Sequence, residues 1–177
     1  MSATTTFAQV RLDRDGARLT AGAAFRPWPW WSVTKTVMAA AVMRLVAEGR
    51  IALDERPDGA GFTVGELLQH RAGVPDYGGL GAYHEAVARG DRPWSRARLL
   101  TEAGAEHRAF PPGAGWAYSN IGYLFVPELI ERRSGLDLER AIRALVADPL
   151  GLASVRLARP DDFASLAPGY DPGWVFH

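Results

Sequence analysis

Val37, Met38, Ala41, Val42, Leu45 and Val46 follow helical spacing, and this run restricts the chain more than any other feature. It requires one long helix with a buried face, from Ser32 to about Glu48. Gly49 stands where a glycine cap ends such a helix. The small segment Ala39-Ala40-Ala41 suits a central helix packed closely on several sides. Arg44 interrupts the apolar stretch, which is too short to span a bilayer.

The start of this helix carries candidate chemistry. Ser32 and Lys35 are three residues apart, so they share one face about a turn apart. Lys35 is the only lysine among the 20 basic residues, the others being arginine. Arginine keeps its proton under ordinary conditions, whereas a desolvated lysine amine can lose one and then accept it back from a hydroxyl. A serine at a helix start also meets unpaired backbone N–H groups that favour a developing oxyanion. The alternative is a Ser32 that only caps the helix beside a solvated Lys35.

The rest of the chain reads as one compact unit. At 177 residues, 47% hydrophobic and 23% charged, it has material for one good core. Zero net charge without a basic block argues against nucleic acid or an anionic membrane surface as partner. Zero cysteines exclude disulfides and thiolate chemistry, and the four histidines lack metal-ligand spacing, so no metal or cofactor is expected. Met1 to Phe7 has no charged start before an apolar run, so the chain reads as cytoplasmic.

In chain order, alternation at Ala8, Val10 and Leu12, a turn at Asp15-Gly16 and the segment Ala17 to Ala21 predict a β-hairpin with one buried face. Trp28, Trp30 and Trp31 crowd the approach to Ser32 and either cover the core or wall an apolar pocket. Thr63 and Glu66 form a capping box for a short helix through His70, closed by Gly73. His70 reads as a structural hydrogen-bonding residue ahead of a catalytic base. Pro75 to Gly90 predicts a long loop with one helical turn near Tyr83 to Ala88, and Ser95 caps a helix to about Glu106.

The rigid turn Phe110 to Trp116 delivers Tyr118-Ser119-Asn120 to the head of a helix that Pro127 kinks and Ser134-Gly135 ends. In an acyl-transfer site this phenol can share a proton with Lys35 and Ser32, and the amide can hydrogen-bond a substrate carbonyl. The plainer alternative is a core tyrosine beside a capping asparagine. Asp137 caps a last helix, and Val155 to Leu157 is read as a brief strand.

These strings resemble the serine β-lactamase-like family of class C β-lactamases, D-alanyl-D-alanine carboxypeptidases and related esterases. They are Ser32-Val33-Thr34-Lys35, Phe62 to His70 leading into Gly73, Pro111-Pro112-Gly113 before Tyr118-Ser119-Asn120, and Asp148-Pro149-Leu150-Gly151-Leu152. The resemblance implies an α/β (α+β) fold of β-lactamase/transpeptidase type, with a helical region and an incomplete antiparallel sheet over a single domain, 1–177. It implies a serine hydrolase of esters or amides, β-lactams and D-Ala-D-Ala-type substrates included, with Ser32 as nucleophile, Lys35 and Tyr118 moving the proton and Asn120 orienting the substrate.

The sequence departs from the family pattern at Trp31, where a small or aliphatic residue is usual, and at Ala72, where a serine or threonine is usual. No K-T-G or H-x-G box follows Tyr118 at the family's distance, so the C-terminal strands and helix are expected to be missing. Two expectations follow from that. One is an enzyme completed by a further C-terminal segment or a homo-oligomeric partner, and the other is a non-catalytic interaction module.

Overall fold

The computed structural model describes residues 9–13, 16–20, 29–159 and 162. These fall into two units, described separately. In the first, β1 (Gln9–Asp13) pairs antiparallel with β2 (Gly16–Thr20), from Gln9 opposite Thr20 to Asp13 opposite Gly16. This is the predicted hairpin with its return strand beginning at Gly16. Its buried face lies outside what is described.

The second unit, Trp30–Leu157 among the described residues, is helical and is built on α1 (Val33–Ala47). Ala41, Val42 and Leu45 of α1 are fully buried, and Val37, Met38 and Val46 pack against the same core. Gly49 follows at φ 68°, in the left-handed region that glycine enters without a Cβ penalty. α2 (Val64–Leu68) opens on the predicted capping box: Thr63 Oγ1 accepts from the Glu66 N–H, and Glu66 accepts from the Thr63 N–H. This helix stops before His70, which is itself left-handed at φ 58°.

α3 (Gly81–Ala88) is longer than the single turn predicted there. α4 (Arg96–Glu102) is shorter than predicted, although Ser95 caps it by accepting from the Arg98 N–H.

The helix predicted through Pro127 is two helices, α5 (Asn120–Tyr123) and α6 (Val126–Ser134). Proline lacks an N–H, so it fits the first turn of a helix and not the interior. Gly135 ends α6 at φ 74°. α7 (Leu138–Ile142) is capped by Asp137 and continues into a π-helical turn over Arg143–Ala147. No strand forms at Val155 to Leu157, because no neighbouring chain segment supplies a ladder partner among the described residues.

α1 packs against α6, α7 and the π-helical turn. Leu45, Leu67, Ile121, Leu129 and Ile130 are the largest wholly buried side chains of this core. Burying each stabilises the fold by about 1.5–3 kcal/mol. Among the described residues no helix is long and apolar enough to cross a membrane.

One glycine ties the loop after α2 to the turn before α5. A Cβ on Gly73, at φ 68°, would lie 2.1 Å from the Phe110 carbonyl oxygen, while one on Gly49 would meet nothing. Gly73→Ala should therefore cost about 3 kcal/mol or more, from backbone strain plus overpacking, against about 1 kcal/mol for Gly49→Ala. Equal losses in a denaturant titration of the two variants would contradict this packing.

Candidate active site

The chain enters α1 through a tight turn. The Val33 N–H donates to the Trp30 carbonyl, the Thr34 N–H to Trp31 and the Lys35 N–H to Ser32, at 2.9–3.0 Å. Trp31 is left-handed at φ 45°, a rare conformation for a bulky side chain and one that costs on the order of 1–3 kcal/mol. Ser32 is consequently already helical, at φ −66° and ψ −16°, whereas a capping serine needs extended backbone. Its side chain makes no cap bond. Instead Ser32 Oγ accepts a hydrogen bond from Tyr118 Oη at 2.8 Å.

Lys35 lies one turn on, and its Nζ donates to Asn120 Oδ1 at 2.8 Å. The same nitrogen stands 5.0 Å from the centre of the Tyr118 ring and 5.7 Å from that of Tyr123. Ser32, Lys35, Tyr118 and Asn120 are thus gathered by two direct hydrogen bonds, although 85 residues separate Lys35 from Asn120.

One segment far away in sequence, residues 70–76, holds Tyr118 and Asn120 in place. The Ala117 N–H donates to the His70 carbonyl and the Ser119 N–H to His70 Nδ1, both at 3.1 Å. Ser119 Oγ donates to the Pro75 carbonyl at 2.9 Å and caps α5 by accepting from the Gly122 N–H at 2.8 Å. The α5 cap is therefore Ser119, not Asn120. Asp76 accepts from both the backbone and the side chain of Asn120. Sequence reasoning did not single out Asp76, whose only local signal is a place in a glycine-rich turn.

Two phenols, Tyr118 and Tyr123, lie near Lys35 and His70, and Tyr77 stands beside Tyr83. Tyr77 is pushed up to about 12, first by burial and then by Tyr83 and Asp76. Tyr123 is raised too, by burial and then by Tyr118, and its hydroxyl donates to the Leu68 carbonyl. Tyr118 is the more open phenol, 39% exposed, and the one that reaches Ser32.

Trp31 and Trp116, at 65% and 66% exposure, are open, as is Trp30, so neither Trp30 nor Trp31 covers the core. Trp28 lies outside the described residues. No group of three or more His, Asp or Glu side chains is placed to hold a metal ion among the described residues.

His70 packs against Tyr118, at 4.5 Å between ring centres, and against Tyr123, at 5.0 Å, with the rings tilted in both pairs. Burial lowers its pKa from the ordinary 6.5, nearby Lys35 lowers it further, and Asp76 opposes them. Protonation would place a donor at Nδ1 against the Ser119 N–H. Above 6.5 both folded and unfolded chains hold His70 neutral, and its contribution to stability is complete. As pH falls, the unfolded chain takes the proton first, so stability drops until the lower folded value is passed. Melting curves between about pH 7.5 and 5 should show this loss, and His70→Gln should flatten it. An unchanged pH dependence in the variant would contradict the assignment.

The family description Beta-lactamase matches residues 8–173. Esterase EstB of Burkholderia gladioli is 34% identical over 155 residues, covering 75% of this chain and 39% of that protein. Penicillin-binding protein 4* of Bacillus subtilis is 27% identical over 139 residues, or 71% of this chain and 29% of that protein. The structure of a D-stereospecific amidohydrolase from Streptomyces sp. superposes with a TM-score of 0.62 at 29% identity, over 82% of this chain and 49% of that one. The chain thus spans less than half the length of each. With the match running from the hairpin past the last helix, the chain belongs to the β-lactamase family and has that family's β-lactamase/transpeptidase type of fold.

Proposed function

We propose that this chain carries the acylation machinery of a serine hydrolase that acts on esters or amides. The observation that carries the reading is the Tyr118 Oη to Ser32 Oγ hydrogen bond, made by a serine whose backbone turn has released it from capping. In the proposed step Ser32 Oγ attacks the substrate carbonyl carbon, and its proton passes through Tyr118 Oη and Lys35 Nζ to the leaving alcohol or amine. Water then attacks the acyl-enzyme, releasing the acid and returning the proton to Ser32. A hydroxyl with a positioned base beside it is what such chemistry requires.

Tyr118 and Lys35 act as a pair in this scheme, and their proton belongs to the pair. Asn120 orients the substrate: its Oδ1 is taken by Lys35, and Nδ2 has a second hydrogen to offer a substrate carbonyl. The relatives named as an esterase, a penicillin-binding protein and an amidohydrolase support an acyl donor of ester or amide type. β-Lactams and D-Ala-D-Ala-type amides are the first amides to test.

Intact-mass measurement after incubation with a fluorophosphonate, a p-nitrophenyl ester and a penicillin, on this chain and on Ser32→Ala, tests the reading. A single adduct with at least one of them, lost in the variant, is expected. Absence of any adduct on folded protein would overturn it for this chain alone and favour a binding role or a need for a complementing segment.

A further inference from the structure

Asp76 stands in the loop after α2, half-buried. Its Oδ1 accepts from the Asn120 backbone N–H at 2.7 Å, and its Oδ2 accepts from Asn120 Nδ2 and from the Gly78 N–H, both at 3.2 Å. Among the described residues no arginine, lysine or histidine forms an ion pair with it. An ionised carboxylate can only accept hydrogen bonds. The Asn120 amide must therefore turn its NH2 end to Asp76 and its oxygen to Lys35 Nζ, 2.8 Å away. The reversed amide would set two oxygens against each other at Asp76 and two nitrogens against each other at Lys35.

We propose that Asp76 is a positioning residue for the acylation step. By fixing which end of Asn120 faces Lys35, it holds the amine at the face of α1 that carries Ser32 and leaves one Asn120 N–H for the substrate carbonyl. The proposal rests on the acyl-enzyme reading above. A purely local role also exists, because the Gly78 bond closes a turn of Asp76's own loop. That role needs neither Asn120 nor Lys35.

Because Lys35 is the only lysine, protein made with [15N]lysine gives a single ζ-nitrogen signal, and its proton exchange reports the bond to Asn120 without any activity. Asp76→Asn should speed that exchange about tenfold. Combining it with Asn120→Asp, which restores an acceptor facing Lys35, should return the protection. In acylation kinetics, Asp76→Asn should lower kcat about 10- to 100-fold with KM little changed, as for a misplaced catalytic group. Asp76→Glu, which keeps the acceptor but not the shape, should retain more rate than the isosteric Asn.

Exchange and kcat in Asp76→Asn within about twofold of wild type, with the melting temperature unchanged, would overturn the proposal, and so would Glu faring worse than Asn. If wild type is never acylated yet exchange responds as expected, Asp76 does position Lys35 and the nucleophile reading fails. If wild type is acylated and exchange does not respond, the positioning claim fails alone.

Discussion

Five hydrogen bonds between residues 70–76 and 117–120 decide the shape of the site. They run from His70, Pro75 and Asp76 to Ala117, Ser119 and Asn120, and without them Tyr118 would sit on an unsupported turn. Half-buried backbone in such a turn must find partners or lose the hydrogen bonds it made with water. Here the partners are mainly side chains, so the turn is specified residue by residue and not by a ladder.

α1 supplies the other half. It is anchored by Ala41, Val42 and Leu45 in the core, and its first turn projects from that anchor toward Tyr118. The left-handed Trp31 costs stability where it stands, but it places Ser32 in helical backbone with its hydroxyl free. Local strain beside a candidate nucleophile, tolerated because the helix behind it is well packed, is a familiar division between core and site. Lys35 then has a neutral amide and two ring faces for neighbours, and no carboxylate pairs with it among the described residues.

Much of this was legible in sequence wherever the signal is local. The hairpin alternation, the α1 spacing, the Thr63–Glu66 box, the Ser95 and Asp137 caps and the Gly135 stop depend on residues a few positions apart. Failures came where distant contacts decide. The sequence allows Asn120 as a cap, but Ser119 takes that role while Asp76, 44 residues away, holds Asn120. His70 read correctly as a hydrogen-bonding residue, yet its left-handed backbone and its packing against Tyr118 had no local sign. Val155 to Leu157 had the composition of a strand, but strand formation needs a partner that composition cannot supply.

The proposed acylation requires Lys35 to supply a proton-accepting amine and not merely a positive charge. The most direct measurement is the rate of Ser32 labelling by a fluorophosphonate in Lys35→Arg, which keeps the charge and removes that chemistry. A loss of about 100-fold or more, with the fold retained, is expected. Labelling at near the wild-type rate would show that charge suffices and would contradict that requirement.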